Sequence, residues 1–446
     1  MRGSEPAELL ADLLRAARIA GADAADAVLL AGTALSVTRR LGRIEHLERA
    51  ESRDLGLRVF VNRRAAIVAS GRVEPAEFPG LAERAVAMAR VVPEDPHAAI
   101  AEEVTPAADA WPLDLVDPEE PTAAALIERA AAAEEAALAV PGVTNSEGAE
   151  ASWGRSEVAL ATSAGFVGTY SRTGHSLSAT ALAGSGTDMQ RDYDSSTAVH
   201  LRDLEEAATL GRNAGQRAVA RLKPRRAATA RLPVVYEARV AGSLLGHLAA
   251  AINGGAVARG TSFLKDRLGT AVFAKGIRIH DDPRRRRGLR SRPFDAEGLP
   301  TAARTLVEDG RLESWLLDLA SAHQLGLAST GHAVRGASGP PQPGPSNLFL
   351  APGPVSPSAL MAEVGEGLLV TELIGMGVNT LTGDYSRGAA GFMIRRGCIA
   401  ESVAEITVAG NLVEMFATLT PADDLRFRRG TDAPTIRVDG MMLAGA

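Results

Sequence analysis

The chain has 446 residues, 46% hydrophobic and 23% charged, with a formal net charge of −6. That balance excludes wholesale disorder and argues against a nucleic-acid binder relying on bulk positive charge, and the length suggests two or three domains. Aromatic residues are only 4% and Cys398 is the one cysteine, so the core must be built from Ala, Val and Leu, and neither an intramolecular disulfide nor a cysteine-rich zinc site is available.

Leu9, Leu10, Leu13, Leu14 and Ala17 fall on one stripe and predict an amphipathic helix over 6–20. Glu5, Glu8 and Asp12 interrupt any apolar run there, so no signal peptide is expected. No window holds about 18 consecutive apolar residues, so no membrane span is expected and the cytoplasm is the default compartment. Strands follow at Ala34–Arg39 and Ile44–Glu48. Leu55–Val61 and Ala65–Ser70 then read as a hairpin about Asn62-Arg63-Arg64, and Glu77–Val91 as a helix. Residues 93–121, rich in proline and acid, read as a long connection. Thr122 is placed to cap a helix over Thr122–Leu138.

From Val143 to His200, small polar and apolar residues alternate with glycine at intervals, the pattern of antiparallel hairpins. Leu204–Leu222 reads as a helix and Lys223-Pro224-Arg225-Arg226 as a linker. A strand over Leu232–Tyr236 and an apolar helix over Val240–Ile252 open a second, glycine-rich half. No period of about 20–50 residues recurs. The expected class is α+β: a domain of helices and antiparallel sheet over 1–225, and a mixed, β-rich domain with an apolar helix over 226–446.

Familiar chemistries fail on residue type. No Gly-Lys-Ser/Thr supplies a phosphate loop, no GxSxG supplies a nucleophile elbow, and the GxGxxG begun by Gly375 and Gly377 is broken by Thr380. The histidines stand at 46, 97, 175, 200, 247, 280, 323 and 332, and none forms a metal-binding pair on a helix. His247, in an apolar helix, reads as a half-buried structural residue. His280-Asp281-Asp282 reads as a polar turn before it reads as a ligand set. Arg284–Arg287 reads as a solvated loop. Asp295 and Glu297 have the chemistry for acid–base work or for capping a turn. The densest polar stretch is 372–391, where glycines permit close backbone approach and polar side chains fall between them. Gly375, Gly377, Asn379, Thr382, Gly383, Asp384, Tyr385, Ser386 and Arg387 are the candidate substrate-binding residues, expected to line a concavity near the helix 240–252. Tight turns between strands are the competing reading.

Segments 241–273, 281–283, 291–331, 345–353 and 372–412, with the tail IRVDGMMLAGA, resemble in order and spacing the TldD/PmbA family, in its PmbA branch, also called TldE. The resemblance implies cytoplasmic proteolysis of unfolded or modified peptides by a metallopeptidase complex. In it a TldD-type subunit carries zinc on an HExxxH helix with a later cysteine, and a PmbA-type subunit lacks that set. It also implies a link to peptide inhibitors of DNA gyrase without DNA contact. Where the HExxxH helix begins, this chain has Ala238-Arg239-Val240-Ala241-Gly242-Ser243, and no cysteine falls near Asn379–Thr382. Cys398 reads as a small buried residue. The resemblance therefore implies no catalytic residues, no metal and no cofactor in this chain, with zinc in a TldD-type partner. It implies a heterodimer or larger assembly with that partner, a two-fold homodimer when alone, peptide substrates, and neither nucleic acid nor membrane as partner. A self-sufficient hydrolase using Asp295, Glu297 or Asp384, and a peptide-binding regulator of a gyrase or toxin–antitoxin system, are the alternatives.

Overall fold

The computed structural model describes residues 4–101 and 112–445, so residues 102–111 of the expected connection lie outside the described residues. The fold is α+β. Helix α1 (Ser4–Ile19) leads into three antiparallel strands, β1 (Ala24–Arg40), β2 (Arg43–Val61) and β3 (Arg64–Ser70). The two short strands expected near residues 34–48 are thus one long hairpin. Its tight turn places Leu41 and Gly42 at positive φ, 48° and 77°. Strand length was illegible there because Arg43–Asp54 is exposed on both faces and shows no hydrophobic alternation. The β2–β3 turn, with Asn62 and Arg63 at positive φ, comes where the sequence placed it.

Helix α2 (Phe78–Val91) and helix α3 (Ala123–Leu138) follow. Thr122 caps α3, its hydroxyl accepting from the Ala125 amide at 3.2 Å. Strands β4 (Val143–Thr162), β5 (Val167–Ala183) and β6 (Gln190–Ala198) complete a six-stranded sheet of order β3-β2-β1-β4-β5-β6. Helix α4 (Ala207–Ala220) closes the first half and starts three residues later than expected, capped by the Glu206 carboxylate. One face of the sheet is covered by helices. Ala25, Ala27, Leu55 and Leu57 pack under α1 and α2, and Val37, Ala151, Leu177 and Ala179 under α3 and α4. The strand period of two sends the alternate residues to the opposite face. There Val28, Leu160 and Phe166 meet Phe294 of the second half.

In the second half, β7 (Ala230–Tyr236) runs parallel to Gly367–Ile374 and antiparallel to Ile436–Ala444. Asp384–Arg395 and Cys398–Asn411 continue from Gly367–Ile374, and Thr407–Ala409 pairs back onto Ile436–Ala444. The sheet therefore closes on itself as a ring. Helix α5 (Ala238–Ala251) packs Leu244, Leu245 and Leu248 into the same core as Val234, Tyr236, Val370, Tyr385 and Val408. A smaller five-stranded sheet centred on Ile279–Asp281 adjoins it. Among the described residues no helix is long and apolar enough to cross a membrane.

Two expectations are corrected. Cys398 is exposed, because it directly follows the turn at Arg396 and Gly397 and opens a strand at a sheet corner. The arginine run is only partly solvated. Arg286 and Arg287 pair with Asp114 across the two halves, Arg287 also with Asp203, and the Arg285 guanidinium stacks on Phe427.

Candidate functional site

A cleft of about 1170 Å³ opens between the two halves, over the outer face of α5. Helical spacing of small residues shapes its floor: Gly242, Ser243, Gly246, Ala249 and Ala250 present almost no side-chain bulk. A Cβ added at Gly246 would meet nothing within 4 Å, so the groove is open there. The facing wall comes from β6 and α4, with Arg191, Tyr193, Asp194, Asn213 and Arg217. Glu372, Leu373 and Arg387 close one end, and the segment Asp424–Ala433 lines the other side.

A chain of ion pairs ties these walls together. Asp192, buried on β6, accepts from Arg239 at the start of α5 and lies 3.5 Å from Arg221. Arg221 reaches Glu372 at 2.5 Å, and Glu372 meets Arg191 at 3.2 Å. Burial works against the Asp192 carboxylate, but the Arg239 hydrogen bond and the Arg239 and Arg221 charges outweigh it and lower its pKa. The same pairing raises Arg239 against its own burial.

Most acids on the cleft wall are engaged. Asp194 pairs with Arg217 at 2.9 Å, Glu237 with Arg239 at 2.7 Å, and Glu205 with Arg428. Asp432 accepts backbone amides of Arg428, Arg429 and Gly430, and Asp424 accepts from Thr435. The charge left over is positive. Arg387 is 9% exposed, its Nε has no hydrogen-bond partner, and it makes no ion pair among the described residues. Beside it, burial and the Arg387 charge push the His247 pKa down to about 4, so the imidazole stays neutral. Burial also raises the Tyr385 phenol, whose hydroxyl lies 3.5 Å from that of Tyr236. Such a site is suited to receiving an anionic group on an extended ligand.

Of the nine candidate substrate-binding residues, Arg387 alone lines this cleft. Gly375, Gly377, Asn379, Thr382 and Gly383 form the connection leading into the strand that begins at Asp384. Gly377 is required by close approach, since a Cβ there would sit 1.9 Å from the Ser386 carbonyl oxygen. The Asn379 amide donates to the Asp384 carbonyl, and the Ser386 amide to that of Gly377. The Asp384 carboxylate accepts from Thr382 and Asn411, which lowers its pKa. Tyr385 is buried against His247, ring centres 5.9 Å apart, so this stretch does reach α5 from beneath. Ser386 and Asp384 are exposed.

The other candidates lie elsewhere. Asp295 accepts the amides of Glu297, Leu299 and Ala333. Glu297 is buried 3.9 Å from Arg58, and desolvation raises its pKa to about 8. Asp281 is buried and holds His332 and Ser346. Sequence reasoning named Arg239 and Gly242 only for the zinc ligands they lack, and missed Asp192 and Gly246. The Gly-x-x-x-Gly spacing on an apolar helix was the one local signal for the cleft floor.

Three family models match the chain, described as PmbA/TldA metallopeptidase domain 1 over 25–89, central domain over 116–222 and C-terminal domain over 229–445. The chain belongs to the PmbA/TldD family. The metalloprotease PmbA of Escherichia coli is 37% identical over 95% of this chain and 92% of its own length. A PmbA homologue of Haemophilus influenzae is 34% identical over 96% and 93%. A crystal structure from Bacteroides thetaiotaomicron, described as a candidate modulator of DNA gyrase, superposes with a TM-score of 0.91 at 25% identity over the whole of both chains. TldE of Thermococcus kodakarensis shares the fold, with a TM-score of 0.86 at 19% identity over 98% of this chain and all of its own.

The metalloprotease name of these relatives implies a metal, and α5 of this chain does not fit one. Its cleft face offers Gly242, Ser243 and Gly246. Its imidazole, His247, edges onto Tyr385 beside the Arg387 charge. Among the described residues no group of three or more His, Cys, Asp or Glu gathers to hold an ion.

Proposed function

We propose that this chain is the substrate-handling subunit of a cytoplasmic TldD-type zinc peptidase complex. It binds unfolded or modified peptides and presents them to a zinc-bearing partner, and it self-associates in a two-fold dimer when that partner is absent. The observation that carries the reading is the cleft: a helix face of Gly242, Ser243 and Gly246, without metal ligands, set against an unpaired Arg387. A small-residue floor leaves room for an extended backbone, and the guanidinium supplies one anchoring point for a carboxylate. The division into units 1–225 and 226–446 belongs to the same reading. It is supported by hydrophobic clusters that draw on one side of that boundary, apart from the patch around Phe294.

Peptide hydrolysis with and without a TldD-type subunit tests it. The chain alone is expected to show no chelator-sensitive cleavage, and the assembled complex to cleave. Arg387→Gln is expected to raise KM of the complex and leave its assembly intact. Chelator-sensitive cleavage by the purified chain alone overturns the proposal.

A further inference from the structure

The first part of β2 leaves a strand edge that no other strand pairs with among the described residues, although the Leu41-Gly42 turn before it is held by Glu134 of α3. Strand β3 pairs with β2 only from Leu55, opposite Ser70, onward. Arg43–Asp54 pairs with β1 alone and is exposed along its whole length. Leu41, Ile44 and Leu47 are 54%, 48% and 53% exposed, three large apolar side chains along this edge and its turn. An edge of this length is a template for another strand unless its side chains forbid pairing.

We propose that this edge pairs with the same edge of a second copy of the chain, antiparallel, with the two-fold axis at Leu47. The charges choose the register. In a two-fold antiparallel pair, residues opposite each other have numbers of constant sum, and the axis passes through one residue facing itself. Centred on Leu47, Arg43 faces the partner's Glu51, Glu45 faces the partner's Arg49, His46 faces the partner's Glu48, and Ile44 faces the partner's Ala50. Centred one residue earlier, Arg43 faces the partner's Arg49. Centred one residue later, Glu45 faces the partner's Glu51 and Arg43 faces the partner's Arg53. Like charges directly opposite destabilise a ladder, so those registers are disfavoured.

Sterics limit the register from one side. With the axis at Leu47, the partner's Leu41-Gly42 turn comes opposite Arg53 and Ser52, just short of the place where β3 begins to occupy the edge. Moving the axis toward Asp54 drives that turn into Ser70. Centring on Leu47 therefore gives a long paired segment that clears β3, and it matches the charges. The existing contacts of these residues are exposed pairs, Arg49 with Glu51 and Glu120, and Arg40 with Glu45. Such pairs are readily exchanged for intermolecular ones. Joining the edges makes one continuous sheet through both copies. The inference rests on the self-association named in the proposed function and specifies its surface.

Sedimentation velocity on the full chain, over a concentration series, tests it. The native chain is expected to dimerise. Glu45→Arg and Arg49→Glu, each placing two like-charged pairs across the axis, are expected to weaken the dimer roughly tenfold or more. The combined Glu45→Arg/Arg49→Glu chain, with both pairs reversed, is expected to regain it. Mixing the two single variants is expected to yield a heterodimer, since each then faces its complement. A native chain that stays monomeric removes self-association altogether. A native dimer untouched by either single variant leaves self-association standing and overturns the edge assignment, as does a double variant no better than the singles.

Discussion

Two regions join the halves of this molecule with the same residue types and to opposite effect. At the sheet face, Asp26 is gripped by Arg58 at 2.7 Å and by Arg335, with Glu297 3.9 Å from Arg58. Phe294 packs beside Phe166 and Tyr170, ring centres 5.0 and 5.3 Å away, and the region is buried. In the cleft, Arg239, Asp192, Arg221, Glu372 and Arg191 form a comparable chain along an open wall, and Arg387 is left over. A cluster buried where two surfaces pack holds them together and is closed to a ligand, even though Arg335 Nε there has no hydrogen-bond partner. In the cleft Arg387, like the more exposed Arg290, Arg426 and Arg429, has no ion-pair partner among the described residues, and such guanidinium groups on a cavity wall leave charge for a ligand to satisfy.

Breaking the buried cluster carries the largest expected effect. Asp26→Ala leaves Arg58 and Arg335 buried without their shared carboxylate, and urea unfolding should report a loss of about 3–5 kcal/mol. A loss similar to that of an exposed ion pair, under about 1 kcal/mol, would mean that water reaches the cluster.

Glu297 gives the same region a pH signature. Burial lifts its pKa from 4.5 to about 8, so the folded chain binds more protons than the unfolded chain between those values. Stability from this group is complete below pH 4.5 and is lost as pH rises through about 8. Thermal melts across that range should show the decline, and Glu297→Gln should flatten it. An unchanged slope in the variant would assign the decline to other groups.

The cleft should answer to binding more than to stability. Arg387→Gln is expected to weaken an anionic peptide by about tenfold or more, the worth of hydrogen bonds to a charged group, with little change in melting temperature. Titration calorimetry with free-acid and amidated peptides reads the difference. If the variant binds both as the native chain does, the anchoring charge lies elsewhere on the wall.

The smallest effect concerns His247. Its pKa falls from 6.5 to about 4 through burial and the Arg387 charge. The unfolded chain therefore takes up the proton first, and stability drops as pH falls from 6.5 toward 4. His247→Gln should reduce that acid-side slope. Arg387→Gln should reduce it in part, which couples the two residues.

Much of the fold was legible. The apolar run Val240–Ile252 announces α5, Thr122 announces the start of α3, and Leu55–Ser70 announces a hairpin. Strand β2 was read as two strands, Ile44–Glu48 and Leu55–Val61, because Arg43–Asp54 buries neither face, and its strand conformation comes from pairing with β1. Arg387 was singled out by its place in a glycine-rich stretch. Its companions in that stretch belong to a turn and a strand, because the same glycines that admit a ligand also admit the Ser386 backbone against Gly377. The cleft walls escaped notice because Asp192, Arg239 and Glu372 are far apart in the chain and carry no common spacing.

The sequence by itself determined which side chains are available. Ala238, Gly242 and Ser243 offer no imidazole or carboxylate, whatever the fold, and the alternating charges from Arg43 to Arg53 were present before any strand formed. Periodicity determined the helices and the buried faces, because burial repeats with the backbone's own geometry. Only the tertiary structure decided which charges cancel. Closure of the second sheet into a ring, and its docking on the first, brought Asp192 to Arg239 and Asp26 to Arg335, and left Arg387 at the cleft wall without an ion-pair partner among the described residues. Ion pairing depends on distances of a few ångströms between residues 47 to 309 positions apart, and no local pattern encodes those distances.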